Sequence, residues 1–110
     1  MNILSYDQLK KIKDVKEDFL LINVLPAAYF DTAHIPDSIN IPVKQADFEA
    51  QVEGAAGGKD KKIVAYCAGF HCPASHEAAE KLEKAGFTNV YAYEGGTKEW
   101  QEKSGARQAA

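Results

Sequence analysis

Ile63-Val64-Ala65-Tyr66-Cys67-Ala68-Gly69-Phe70-His71-Cys72-Pro73-Ala74-Ser75 is the stretch on which the reading of this chain turns. Its opening is an unbroken apolar run entered through Lys61-Lys62, the pattern of a strand covered on both faces. Beyond Pro73 the spacing becomes that of an amphipathic helix, with Ala78, Ala79, Leu82 and Ala85 on one side. Gly86 follows as its stop. Buried strand, short loop and helix in that order build a mostly parallel α/β sheet.

The same grammar recurs on either side. Phe19-Leu20-Leu21-Ile22-Asn23-Val24 reads as a second buried strand, Ser38-Ile39-Asn40-Ile41 as a short one, and Asn89-Val90-Tyr91-Ala92-Tyr93 as another. Helices are expected over Ser5–Asp14, with Ser5 as N-cap and Tyr6, Leu9 and Ile12 on one face. Pro26 opens a short helix through Phe30, and Gln45–Glu53 forms one with Phe48 and Val52 inward. Gly54-Ala55-Ala56-Gly57-Gly58 reads as a flexible loop, Gly95-Gly96 as a turn, and Thr97 as the cap of a last helix carrying Trp100. Phe48, Phe87, Tyr91, Tyr93 and Trp100 are expected in the core, and Lys59 to Lys62 at a solvated strand entrance.

Composition bounds the rest. A chain of 110 residues, 45% hydrophobic and 26% charged, suits one globular domain, placed at 1–105 with a frayed tail at 106–110. A net charge of −3 gives a nucleic-acid partner no electrostatic support. No run approaches the roughly 20 apolar residues of a membrane span. Ile3-Leu4 is too short for a signal sequence, so a cytoplasmic protein without a membrane partner is expected. Two cysteines are too few for a disulfide scaffold.

Parallel sheets place ligands where strand ends feed helix starts, and the reactive loop lies at such a point. Backbone N–H groups and the helix dipole converging there would lower the pKa of Cys67 and make it a nucleophile. An inert buried cysteine fits the same position, and the loop alone does not choose between the two. Cys72 either resolves or protects Cys67 as a redox partner, or fills space beneath the loop. Cys67, His71, Cys72 and His76 are too crowded for the usual two-pair zinc geometry, so no metal is expected. His71 is expected to face solvent, His76 to sit in the first helical turn, and His34 to hydrogen-bond backbone in the His34-Ile35-Pro36 turn.

Three segments together resemble the rhodanese-like, or sulfurtransferase, family over nearly the whole chain. They are His34-Ile35-Pro36-Asp37-Ser38-Ile39-Asn40-Ile41-Pro42, the Ile63–Cys67 strand with its loop and helix, and Gly86-Phe87-Thr88-Asn89-Val90-Tyr91 followed by Gly95-Gly96 and Trp100. The resemblance implies a single α/β domain with a mostly parallel five-stranded sheet and helices on both faces. It makes Cys67 the catalytic residue that carries sulfur as a persulfide, with Ala68, Gly69, Phe70, His71, Cys72, Pro73, Ala74 and Ser75 forming the substrate-binding loop. It also places Gly95-Gly96 beside that loop. No cofactor is implied. The partners would be a small sulfur donor and a thiol or cyanide acceptor, or a protein sulfur acceptor.

Three departures qualify the likeness. Asn23-Val24-Leu25 stands where the family often has an Asp-x-Arg pair. The loop is longer, so the Ala-Ala and Leu of its helix come two residues late and Ser75 takes the place of the loop-closing Ser. The loop has no Arg, and Arg107 is the only arginine of the chain. Without a guanidinium to hold a phosphoryl group, phosphatase chemistry is disfavoured, and a persulfide or polysulfide donor is favoured over thiosulfate. The alternatives are a sulfur-carrier or protein-binding module of the same fold, and a Cys67/Cys72 thiol–disulfide switch.

Overall fold

The computed structural model describes residues 2–105. The frayed tail expected at 106–110 therefore lies outside the described residues. Five strands, β1 (Asn2–Leu4), β2 (Leu20–Asn23), β3 (Ile39–Asn40), β4 (Ile63–Tyr66) and β5 (Val90–Tyr93), form one sheet in the order β1-β5-β4-β2-β3. Every pairing is parallel. The helices are α1 (Tyr6–Asp14), α2 (Ala27–Thr32), α3 (Phe48–Ala56), α4 (Ala74–Lys84) and α5 (Gly96–Trp100), the last continuing as a wider π-type turn over Gln101–Gly105.

The alternation within β4 shows why the run is apolar throughout. Ile63, Ala65 and Cys67 join a core with Phe48 and Val52 of α3 and Ala78, Ala79 and Leu82 of α4. Val64 and Tyr66 join a second core on the opposite face with Tyr6 and Leu9 of α1 and Trp100 of α5. A strand whose two faces both meet helices has no position left for a polar side chain. Among the described residues no helix is long and apolar enough to cross a membrane.

Three of the expected elements are corrected. The sequence reading located four strands, and β1 is the missing fifth: three residues at a sheet edge, of which only Leu4 is buried. The third helix begins later, at Phe48, and runs through the supposed loop to Ala56. A helical glycine costs only about 1 kcal/mol against Ala, so Gly54 does not stop it; Gly57, at φ +82°, does. Thr97 is not a cap, because α5 starts one residue earlier with Gly95 in the cap position. The Lys59–Lys62 segment does lead into β4 at the surface, where Lys59 Nζ donates to the Ala85 carbonyl at 2.7 Å, Lys61 pairs with Asp18, and Lys62 pairs with Glu17 at 2.6 Å.

Tyr66 carries the effect of β4 across the sheet. Its hydroxyl accepts from the Ile35 amide at 3.0 Å and lies 2.7 Å from Ser38 Oγ, which itself donates to the Ile35 carbonyl at 2.6 Å. The 35–38 turn, which holds Asp37 at φ +71°, is thus fixed by a buried polar network. Tyr66→Phe is expected to lower stability by about 1–3 kcal/mol, because it strands the Ile35 amide and takes from Ser38 Oγ one of its two partners. Urea denaturation would register this as a lower midpoint with an unchanged slope.

Candidate active site

Cys67 follows the last residue of β4, and α4 starts at Ala74, so the loop spans the carboxyl end of a central strand and the amino end of a helix. The Cys72 amide donates to the Gly69 carbonyl at 3.1 Å, which folds the loop back on itself. Across the mouth, the Thr97 and Lys98 amides of α5 donate to the carbonyls of Cys67 at 3.0 Å and Ala68 at 2.9 Å. Two loop carbonyls are thereby held by the first turn of α5. The approach is so close that a Cβ on Gly96 would lie 2.3 Å from the Cys67 carbonyl oxygen. Gly96 also has φ +61°, so glycine is required here on two counts.

Both cysteines are free thiols. Cys67 is almost completely buried, at 1% exposure, and its Sγ donates to the Cys72 carbonyl at 3.3 Å. Burial pushes the Cys67 thiol above its ordinary range, as does the hydrogen bond it shares with the Cys72 thiol, and the Ser75 amide opposes this only in part. The expected lowering at Cys67 is therefore corrected: the helix start acts on the sulfur, but desolvation outweighs it. Cys72 is half-buried. Burial also raises its pKa, but the hydrogen bond from Cys67 and the amides of Ala68 and Ala74 outweigh that, leaving Cys72 below its ordinary value. The amide cradle is thus divided between two sulfurs.

Ser75 lies in the first turn of α4, 1% exposed, with its hydroxyl unpartnered among the described residues. Both that hydroxyl and the Ser75 amide favour negative charge on Cys67. Phe70 and His71 face solvent, Phe70 at 63% exposure, while Ala68, Gly69, Cys72 and Pro73 form the body of the loop and Ala74, like Ser75, belongs to the first turn of α4. His76 is engaged elsewhere, its Nε2 lying 2.8 Å from Glu94 Oε2. Among the described residues no three His, Cys, Asp or Glu side chains group to hold a metal ion. His34 bonds backbone through Nδ1, 2.8 Å from the Phe30 carbonyl, and stacks on the Phe30 ring.

At the neighbouring strand end, Asn23 takes a structural part. It is fully buried, and its Oδ1 accepts from the Leu25 amide at 3.0 Å. Asn40, which the sequence reading did not single out, donates from Nδ2 to the carbonyls of Asn23 at 3.0 Å and Leu25 at 2.8 Å. Side-chain amides thus order the β2 exit without an Asp-x-Arg pair.

Lys98 was also missed. Its stem packs along the loop, Cβ and Cδ lying 3.6 and 4.0 Å from where a Cβ on Gly69 would stand. It borders a groove of about 430 Å³ lined by Leu25, Tyr29, Ala33 and Ala68, and a smaller hollow beside Phe70 and His71. The loop carries no cation of its own, but α5 brings one to its mouth.

The match to the Rhodanese-like domain model covers residues 5–103. A protein from Pseudomonas savastanoi named thiosulfate sulfurtransferase GlpE is 35% identical over 74% of this chain and 72% of its own length. The Drosophila melanogaster rhodanese domain-containing protein CG4456 is 30% identical over 92% of this chain and 97% of its own. The solution structure of a rhodanese-like domain from the Anabaena protein Alr3790 has the same fold. It superposes with a TM-score of 0.81 at 23% identity, covering 96% of this chain and 76% of that one. With a model matched across nearly all of the described residues, the chain belongs to the family of Rhodanese-like domains.

Proposed function

We propose that this protein is a sulfurtransferase working by double displacement. Cys67 loses its proton and attacks the sulfane sulfur of a donor. The bond between that sulfur and its leaving group breaks, the leaving group departs with the electron pair, and a persulfide remains on Cys67. A thiol or cyanide then takes the sulfane sulfur and returns Cys67 as the thiolate. One observation carries this reading: the buried, unpartnered Ser75 hydroxyl, beside an amide of the same residue, favours a sulfur anion at Cys67. A buried donor without a partner costs stability, and an anionic sulfur would repay that cost during turnover.

The test is intact-protein mass spectrometry after treatment with thiosulfate and with a low-molecular-weight persulfide. Transient gain of one sulfur atom, mapped to Cys67, is the expected result. Uptake mapped only to other residues would sink the reading.

Lys98 bears on the donor. The absence of a loop arginine argues against thiosulfate, whereas an exposed lysine at the mouth offers its dianion a screened, flexible counter-charge. Lys98→Gln is expected to raise KM for thiosulfate by about two- to fivefold, the worth of one exposed charge. The effect should shrink as salt is added and nearly vanish with an uncharged sulfane donor, which steady-state kinetics would show.

A protein acceptor is the second reading, favoured by Tyr29 and Phe70. Tyr29, 62% exposed, lines the groove beside Ala68, and the similarly exposed Phe70 stands out from the loop. Rings placed this way beside a reactive centre suit a protein surface better than a small ion. We place the protein in the cytoplasm, a reducing compartment that suits two free thiols, with neither nucleic acid nor membrane as partner.

A further inference from the structure

The five-residue spacing of Cys67 and Cys72 has a definite consequence once the loop is folded. The Gly69–Cys72 turn returns the chain so that Cys67 Sγ donates to the Cys72 carbonyl at 3.3 Å, which brings the second cysteine onto the first. The sulfurs differ in access, Cys67 being buried and Cys72 half-buried. They also differ in what surrounds them, since the Ala68 and Ala74 amides face the Cys72 sulfur. A half-buried cysteine whose own carbonyl touches the buried sulfur, and whose thiolate is supported by backbone amides, is placed as an attacking group.

We propose that Cys72 resolves the sulfur-bearing Cys67, so that the loop releases sulfide when no acceptor arrives. The inference rests on the persulfide reading given above. The Cys72 thiolate attacks Cys67 Sγ, a Cys67–Cys72 disulfide forms, and the bond from Cys67 Sγ to the sulfane sulfur breaks. The sulfane sulfur leaves with that electron pair as hydrosulfide. It is thereby reduced by two electrons, and the two cysteine sulfurs together supply them. No outside oxidant takes part. A thiol reductant resets the loop by attacking the disulfide, entering at Cys72 because that sulfur reaches solvent. It leaves as its own disulfide and restores both cysteines. The net reaction is reduction of sulfane sulfur to sulfide by thiols, a second activity of the same loop. Its rate sets how long a persulfide persists on Cys67.

A single turnover separates this from the alternatives. The full reduced chain is mixed with stoichiometric thiosulfate, without acceptor or reductant, so that the donor itself leaves only sulfite. Hydrosulfide and intact mass are then followed. The wild type is expected to release about one hydrosulfide per sulfite. It should end two hydrogens lighter, with the loop peptide cross-linked between Cys67 and Cys72. Cys72→Ser and Cys72→Ala are expected to release none and to remain heavier by one sulfur at Cys67. A wild type that keeps the sulfur on Cys67 and releases nothing would overturn the proposal but leave the transferase reading standing. Sulfur found on Cys72 would also overturn it, since attack would then have fallen on the outer sulfur. Should neither Cys72 variant nor the wild type take up sulfur from thiosulfate, nor from the low-molecular-weight persulfide of the uptake test, the persulfide reading itself fails and this inference with it.

Discussion

Cys67→Ser is expected to abolish sulfur uptake and to lower sulfurtransferase turnover by on the order of a thousandfold or more. The substitution replaces a polarisable sulfur, able to ionise in a protein, with a hydroxyl that does not ionise near neutrality and has no persulfide to form. Structure is not what is lost. The Ser hydroxyl can still donate to the Cys72 carbonyl, which Cys67 Sγ contacts at 3.3 Å, and the side chain is slightly smaller than the one it replaces. Circular dichroism and the denaturation midpoint should therefore stay near wild type while activity with either donor disappears. A Cys67→Ser protein that retained a tenth of the wild-type rate would move the chemistry to Cys72 or away from the loop altogether.

Gly96→Ala is expected to have the second largest effect, and it acts through backbone. The new Cβ would lie 2.3 Å from the Cys67 carbonyl oxygen, 2.8 Å from the Ala68 carbonyl carbon and 2.8 Å from the Gly69 nitrogen. None of these atoms is the end of a flexible side chain. The left-handed φ adds strain of about 1–2 kcal/mol for a residue with a Cβ. With overpacking included, a destabilisation of about 3 kcal/mol or more is expected. Relief of the clash has to separate the loop from the Thr97 and Lys98 amides, so turnover should fall by about a hundredfold even at temperatures where the fold persists. Gly54→Ala is the control, because a Cβ there meets nothing within 4 Å and replaces a helical glycine. Thermal denaturation together with turnover for both proteins checks the pair.

The legible part of the fold was the part whose pattern is local. In β4 and α4 the apolar period changes from continuous to helical within a few residues, and each side chain meets the core that its spacing announces. The strand β1 was illegible for the opposite reason. Its three residues hold no period, and they become a strand only because Asn2, Ile3 and Leu4 register against Tyr91, Ala92 and Tyr93. The α3 boundary failed on glycine arithmetic, where the flexibility of Gly54 was weighed above its small helical cost.

The candidate site divides along the same line. Cys67, Cys72 and Ser75 were visible because strand, loop and helix are consecutive in sequence. Asn40 and Lys98 were not, because their place beside the loop depends on sheet order. The acidity of Cys67 was misjudged because helix-start electrostatics can be read from spacing, whereas nearly complete burial of a strand-end sulfur depends on how the core around it is assembled.

The pairing of β1 with β5 stitches residues 2–4 to residues 91–93, almost the full span of the described chain. A nascent polypeptide leaves the ribosome amino end first, so Leu4, Tyr6 and Leu9 emerge long before the strand that shelters them. The Cys67 and Ala68 carbonyls likewise wait for the amides of Thr97 and Lys98. Vectorial synthesis therefore cannot produce a half-built domain with a finished sulfur site: the reactive loop takes shape in the same late step that joins the two distant ends of the fold.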